Sequence, residues 1–241
     1  MRYIDAHCHL NLFDSPLKAM AESEVAGVDA VVCSGDSAKD CAECLSLADS
    51  KRIFATIGIG PGYACKDFEF IRRLEELAST NKGKVVGIGE IGLDLGVARS
   101  GICDMGAQEN AFIKQIETAK SLDLPVVVHS RNTIKRVIEI MRSERPAKAM
   151  FHFFEGNEEQ AKELAAYGYV ISIPPFLDRR RKNIISLLEL NNIVVETDSP
   201  AAGRSPAEAV KLVGEIAKIK GISQETAARK IAQTIRNLYG I

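Results

Sequence analysis

Along the 241 residues, short runs of apolar and β-branched residues alternate with stretches whose apolar positions recur every three or four residues. The runs are YIDAH, VDAVVC, IFATIGI, KVVGIGE, PVVVH, AKAMFH, YVISI and NNIVVET. Several are continuously apolar, as at Val126, Val127 and Val128 or Ile193, Val194 and Val195. That is the pattern of strands covered on both faces in a parallel sheet. The intervening stretches, about 15–26, 37–48, 68–80, 107–122, 132–142, 157–166, 178–188 and 206–220, predict amphipathic helices, and a last helix is expected over about 223–239. Phe112, Ile116 and Ala119 share one helix face, as do Val210, Val213 and Ala217. Asn157 three residues before Gln160, and Ser205-Pro206-Ala207-Glu208, carry helix-start signals. Eight strand–helix units of about 30 residues each predict an α/β protein, a (β/α)₈ TIM barrel with an extra C-terminal helix. The expectation is a single domain over 1–241, with a doubly wound open sheet as the alternative.

Composition adds exclusions. Lys+Arg 31 against Asp+Glu 32 gives a formal net charge of −1, which argues against a broad electrostatic grip on nucleic acid while permitting local contact with phosphate. No apolar run reaches the ~20 residues needed to span a bilayer, and the start lacks the apolar core of a signal peptide. A cytoplasmic protein with no membrane contact and no obligate protein partner is expected. Its six cysteines, too few for a disulfide scaffold, are expected to be reduced. Cys41 and Cys44 form a CxxC without a second pair or a nearby histidine, so they read as packed thiols rather than a zinc site. Gly87 to Gly92 match GxGxxG after a strand, but LDLGVARSG follows without helical periodicity. The dinucleotide reading needs a helix opening at the third glycine, so it is set aside.

The chemistry concentrates at strand ends. The four histidines, His7, His9, His129 and His152, each lie at or just past the carboxyl end of a predicted strand, and so do Glu90 and Asp198. In a barrel those ends converge on the mouth. His7 and His9, two apart on a strand, face the same side, whereas Cys8 faces away and reads as packing. The pair can offer two nitrogens to one ion, with Asp198 completing the set. His129 and His152, from adjacent strands, can hold a second ion, and Glu90 can bridge the two. Mixed imidazole–carboxylate sets suit Zn, Mn, Ni or Co, with a Mg-dependent form as the alternative.

The motifs DAHCHL, GEIGLD, PVVVHSR, FHFFEGNEEQA and ETDSP, in this order, resemble those of the TatD-type metal-dependent hydrolases, barrel enzymes described as deoxyribonucleases and related to the amidohydrolases. The resemblance extends over essentially the whole chain, including Gln108, Phe112 and the closing RNLYG. It implies two divalent metals, one on His7, His9 and Asp198, the other on His129 and His152, with Glu90 bridging. It implies catalytic roles for Asp198 and Glu90, phosphate or carboxylate binding by Arg131, and DNA ends or a small phosphodiester as substrate. Amide, lactone or aminoacyl-ester hydrolysis, or metal binding with little turnover, are the alternatives.

The sequence also departs from the family pattern. Where the family carries Gly-x-His-Pro after strand three, this chain has Gly58-Ile59-Gly60-Pro61, so the histidine implicated in holding the substrate phosphate is Gly60. The Ser-Gly after strand seven is Ile173-Pro174-Pro175, and the aromatic after the last aspartate is missing. The basic run Arg179-Arg180-Arg181-Lys182 reads first as a solvated face; its loop also faces the mouth, where it can substitute for the lost histidine.

Overall fold

The computed structural model describes residues 2–241. The strands are β1 (Tyr3–Cys8), β2 (Val28–Ser34), β3 (Ile53–Ile57), β4 (Val85–Gly92), β5 (Val126–His129), β6 (Ala149–Phe151), β7 (Val170–Ile173) and β8 (Ile193–Val195). They pair in chain order, all in parallel, as one eight-stranded sheet. Closure is made just past β8, where Asp198 N donates to the His7 carbonyl (3.0 Å) and His9 N to the Ser199 carbonyl (2.7 Å). Closure therefore joins the two ends of the chain that carry candidate site residues.

Helices follow each strand: α1 (Pro16–Val25), α2 (Ala38–Leu47), α3 (Phe68–Ile71), α4 (Leu74–Thr80), α5 (Leu95–Arg99), α6 (Met105–Ser121), α7 (Ile134–Glu144), α8 (Glu158–Ala166), α9 (Arg179–Leu187), α10 (Glu208–Lys220) and α11 (Gln224–Tyr239). α11 is the expected extra helix, and Tyr239 at its end donates to the Ala6 carbonyl of β1 (3.0 Å). Strand side chains are buried on both sides, and the expected helix faces enter the core, with Phe112, Ile116, Val213 and Ala217 buried. Among the described residues, no helix is long and apolar enough to cross a membrane.

Three local expectations need correction. The 68–80 helix is broken into α3 and α4. The segment after β4 does form a helix, α5, because Asp94 accepts from the N–H groups of Gly96 (2.6 Å) and Val97 (3.2 Å); a five-residue helix is too short for periodicity to reveal. Gly92, at the end of β4, sits at φ +146°, and a Cβ there would collide with the His129 carbonyl oxygen, so this glycine serves sheet closeness rather than a dinucleotide. The capping box holds at α8, where Asn157 and Gln160 satisfy each other's N–H groups. It fails at α10, which starts at Glu208, because the Glu208 carboxylate instead accepts from Arg204 N (3.1 Å).

The cysteines split. Cys65 and Cys103 are joined by a disulfide, contrary to the all-reduced expectation, because folding brings together two loops 38 residues apart in sequence. Cys8, Cys33, Cys41 and Cys44 are free and buried, with Cys33 and Cys44 sulfurs 3.0 Å apart. The CxxC is thus two packed thiols, and no cysteine belongs to a metal-competent group among the described residues.

Candidate metal centre

The barrel brings all six predicted residues to one mouth. His7 Nε2 lies 3.4 Å from Glu90 Oε2 and 3.5 Å from Asp198 Oδ1, and His9 Nε2 lies 3.2 Å from the same Asp198 oxygen. Glu90 turns its other oxygen to the far pair, 2.6 Å from His129 Nδ1 and 3.7 Å from His152 Nε2. Its two oxygens therefore face the two histidine pairs. His7, His9 and Asp198 form one group whose ligand atoms lie within 4.8 Å of one another, and Glu90, His129 and His152 form another.

The second nitrogens of the rings are held from behind. His9 Nδ1 donates to the Ser34 carbonyl (2.9 Å), and His7 Nδ1 meets Ser34 Oγ (3.0 Å), which accepts from Thr56 (2.8 Å). His152 Nδ1 meets Glu196 Oε2 (3.0 Å), and His129 Nε2 meets Asp94 Oδ2 (3.3 Å). Backing of this kind fixes ring orientation and tautomer, leaving one nitrogen of each ring for an ion. The fit to a cation shows in what is unpaired: His7 Nε2 and Asp198 Oδ1 are buried without a hydrogen-bond partner. Orphaned buried polar atoms are costly unless something occupies the space between them.

Charge is concentrated here. Burial disfavours ionised Glu90, yet the neighbouring His152, the hydrogen bond from His129 and the His7 imidazole close by hold its carboxyl well below the usual range. Asp198 is likewise held low against burial by His7 and His9. Burial works against charging His129, but Asp94 and Glu90 raise its pKa to about 10. Protons thus occupy sites that suit a divalent ion. Asp198 also sits at φ +50°, a conformation uncommon for a residue with a side chain and concentrated at functional sites.

The pattern of the TatD related DNase family matches residues 4–240. The chain belongs to this family. It is 30% identical over 260 residues to the deoxyribonuclease TATDN3 of Homo sapiens, covering 98% of this chain and 94% of that protein. It is 27% identical over 244 residues to the 3′-5′ ssDNA/RNA exonuclease TatD of Pantoea vagans, covering 92% of each. Among solved structures, the TatD homolog YjjV of Escherichia coli superposes with a TM-score of 0.89 at 24% identity, over 99% of this chain and 98% of that one, a likeness of fold.

Beside the TatD pattern, two functional carboxylates escaped the sequence reading. Asp94 ends GEIGLD and Glu196 begins ETDSP, so both lay inside quoted motifs. The signal for Glu196 is its place in the run NNIVVET, at the end of a predicted strand and two residues before Asp198. Glu196 also forms a metal-competent group with His7 and His152. Its second oxygen, however, accepts from Phe153 N (2.6 Å), which keeps it behind the histidine. Gln108 clamps the Asp94 segment through Asp94 N (2.8 Å) and the Asp94 carbonyl (3.2 Å).

The rim is mixed. Arg131 is exposed, lines the cavity beside His129, His152 and Asp198, and makes no ion pair among the described residues, so the helix-start salt bridge is not formed. The 179–182 run is not a uniformly solvated face. Arg179 and Lys182 are exposed, but Arg181 is buried with its guanidinium 5.6 Å from the Phe153 ring centre, and Arg180 donates to the Glu155 carbonyl (2.5 Å). At Gly60, a Cβ would stand 3.1 Å from the Asp36 Cβ. The place of the family histidine is thus beside a carboxyl whose pKa is raised to about 7 by burial, then by Asp40 and Glu90.

Proposed function

We propose that the protein is a two-metal phosphodiesterase acting on DNA ester bonds, with His7, His9 and Asp198 holding one divalent ion, His129 and His152 the other, and Glu90 both. The observation carrying this reading is the buried, partnerless pair His7 Nε2 and Asp198 Oδ1 inside a six-residue set split evenly by the two oxygens of Glu90. The TatD related DNase family and the names of its relatives support the nucleic-acid substrate. When bound, the ions would supply Lewis acidity and lower the pKa of water towards neutrality. Asp198 accepts the proton of the attacking water, as a general base. Asp94 and Glu196 keep His129 and His152 aimed. Arg131, free of ion pairs, grips the outer phosphate oxygens with its planar fork of donors.

A second reading, hydrolysis of an amide, lactone or aminoacyl ester, is favoured by one observation. Asp36 packs against the place of the family histidine, its Cβ 3.1 Å from where a Cβ on Gly60 would stand, and a carboxylate there disfavours a phosphate. Metal-loaded protein assayed on phosphodiesters, phosphomonoesters and uncharged amides or esters separates the two. The proposal expects diesters to be the best substrates; a clear preference for uncharged ones rejects it.

A further inference from the structure

The cavity above the metal centre, about 170 Å³, and a second one of about 560 Å³ share Ala202 in their walls. This outer groove runs between the segment after β7 and helix α10, and it carries Lys182, Arg204 and Lys211. Against these three cations stand two carboxylates, Glu208, which accepts from Arg204 N within the groove, and Glu215, which also pairs with Lys218 at 2.7 Å. Its excess charge is therefore positive.

An aromatic pair stands where the two cavities join. Phe176 lines the groove and is 52% exposed, although it is a large apolar side chain. Its ring centre is 6.4 Å from that of Phe153, with 53° between the planes, and Phe153 lines the inner cavity. Phe153 is held there at a cost. Its φ is +45°, uncommon for a bulky residue, and its N–H is pinned by Glu196 Oε1 and by Ser172 Oγ at 3.1 Å. Arg181, fixed to Asp178 at 3.2 Å, supports the Phe153 ring. The centre's own backing carboxylate thus also positions the inner aromatic.

We propose that Phe176 and Phe153 form a nucleobase-stacking subsite, and that the basic groove carries the adjoining nucleotides of a single strand whose scissile phosphate lies at the metal centre. This rests on the phosphodiesterase reading. An exposed aromatic beside lysines and arginines is the arrangement that binds single strands without reading their sequence.

The chain contains no tryptophan, so F176W introduces a single reporter. Its fluorescence should be quenched by a short single-stranded oligodeoxynucleotide, and much less by the same strand made abasic. F176A should weaken binding of that strand by about 5- to 150-fold. Bis(p-nitrophenyl) phosphate serves as the small diester that reports hydrolysis by wild type; in F176A, cleavage of the abasic strand, which offers no base to stack, should fall much less than that of the intact strand. K211A should lower the salt dependence of binding by about 0.7 in log–log slope. Equal quenching by the intact and abasic strands, no quenching at all, or equal strand affinity in F176A and wild type, would overturn the subsite. If wild type cleaves neither the strand nor the small diester, the phosphodiesterase reading fails, while quenching still reports the subsite separately.

Discussion

The floor of the mouth and its rim are built differently. On the floor, His7, Glu90, His129, His152 and Asp198 sit on strands or one to three residues past them, and their positions follow from sheet register. On the rim, Gly60, Arg131, Phe153 and Phe176 belong to connecting segments and Arg181 to the first turn of α9, and at Gly60 and in the segment after β7 the chain departs from its family. Strand ends fix distances between ligands, and loops decide what reaches them. The floor thus bears on the chemistry and the rim on the choice of substrate.

Substitutions should separate the two regions. The largest effect is expected at Asp198→Asn, which should keep the fold and lower turnover by about 10²–10⁴. A near wild-type rate with full metal would remove Asp198 as the base. At the rim, Arg131→Ala should raise KM for phosphodiesters by about 10–150-fold, the loss of one charge-assisted hydrogen bond. An uncharged ester should not register it, and an unchanged diester KM would end the phosphate-binding role. Asp94→Asn and Glu196→Gln should each cost about 10–100-fold in metal affinity or activity, as expected for residues that orient ligands; titration calorimetry reads this directly.

Smaller effects complete the comparison. Gly60→His should raise diester activity within about tenfold, a neutral hydrogen bond's worth, provided Asp36 yields the few tenths of an ångström that a Cβ 3.1 Å away demands. A fall would mean that Asp36 is itself part of substrate selection. Replacing Arg179, which is exposed, should change KM least, and that change should fade with salt.

Metal binding should also be pH-dependent in a stated direction. Burial opposes protonation of His129, but Asp94 and Glu90 raise its pKa to about 10 in the metal-free protein. A proton must leave when an ion enters, so affinity should fall as pH falls and loading should release protons to the buffer.

Much of the floor could be read from the sequence because strand runs, histidine positions and the ordered motifs all mark the same strand ends. His7 and His9 announce themselves by their two-residue spacing. Glu196 did not, because beside Asp198 it read as strand end, and only the fold reveals that His152 leans on it. The rim was less legible. Arg181 looks like its neighbours in a charged run, yet the turn of α9 buries it under Phe153 while Arg179 and Lys182 stay in water. The Cys65–Cys103 bridge was hidden because it depends on two loops meeting in space.

The central claim is that one carboxylate serves two ions. Anomalous scattering from crystals of metal-loaded wild type, read together with elemental analysis of wild type and Glu90→Ala, tests it most directly. The account predicts two ions per chain, one beside His7, His9 and Asp198 and one beside His129 and His152, each touching a different oxygen of Glu90, with both depleted in Glu90→Ala. A single saturated ion, with His129 and His152 unliganded, would contradict it.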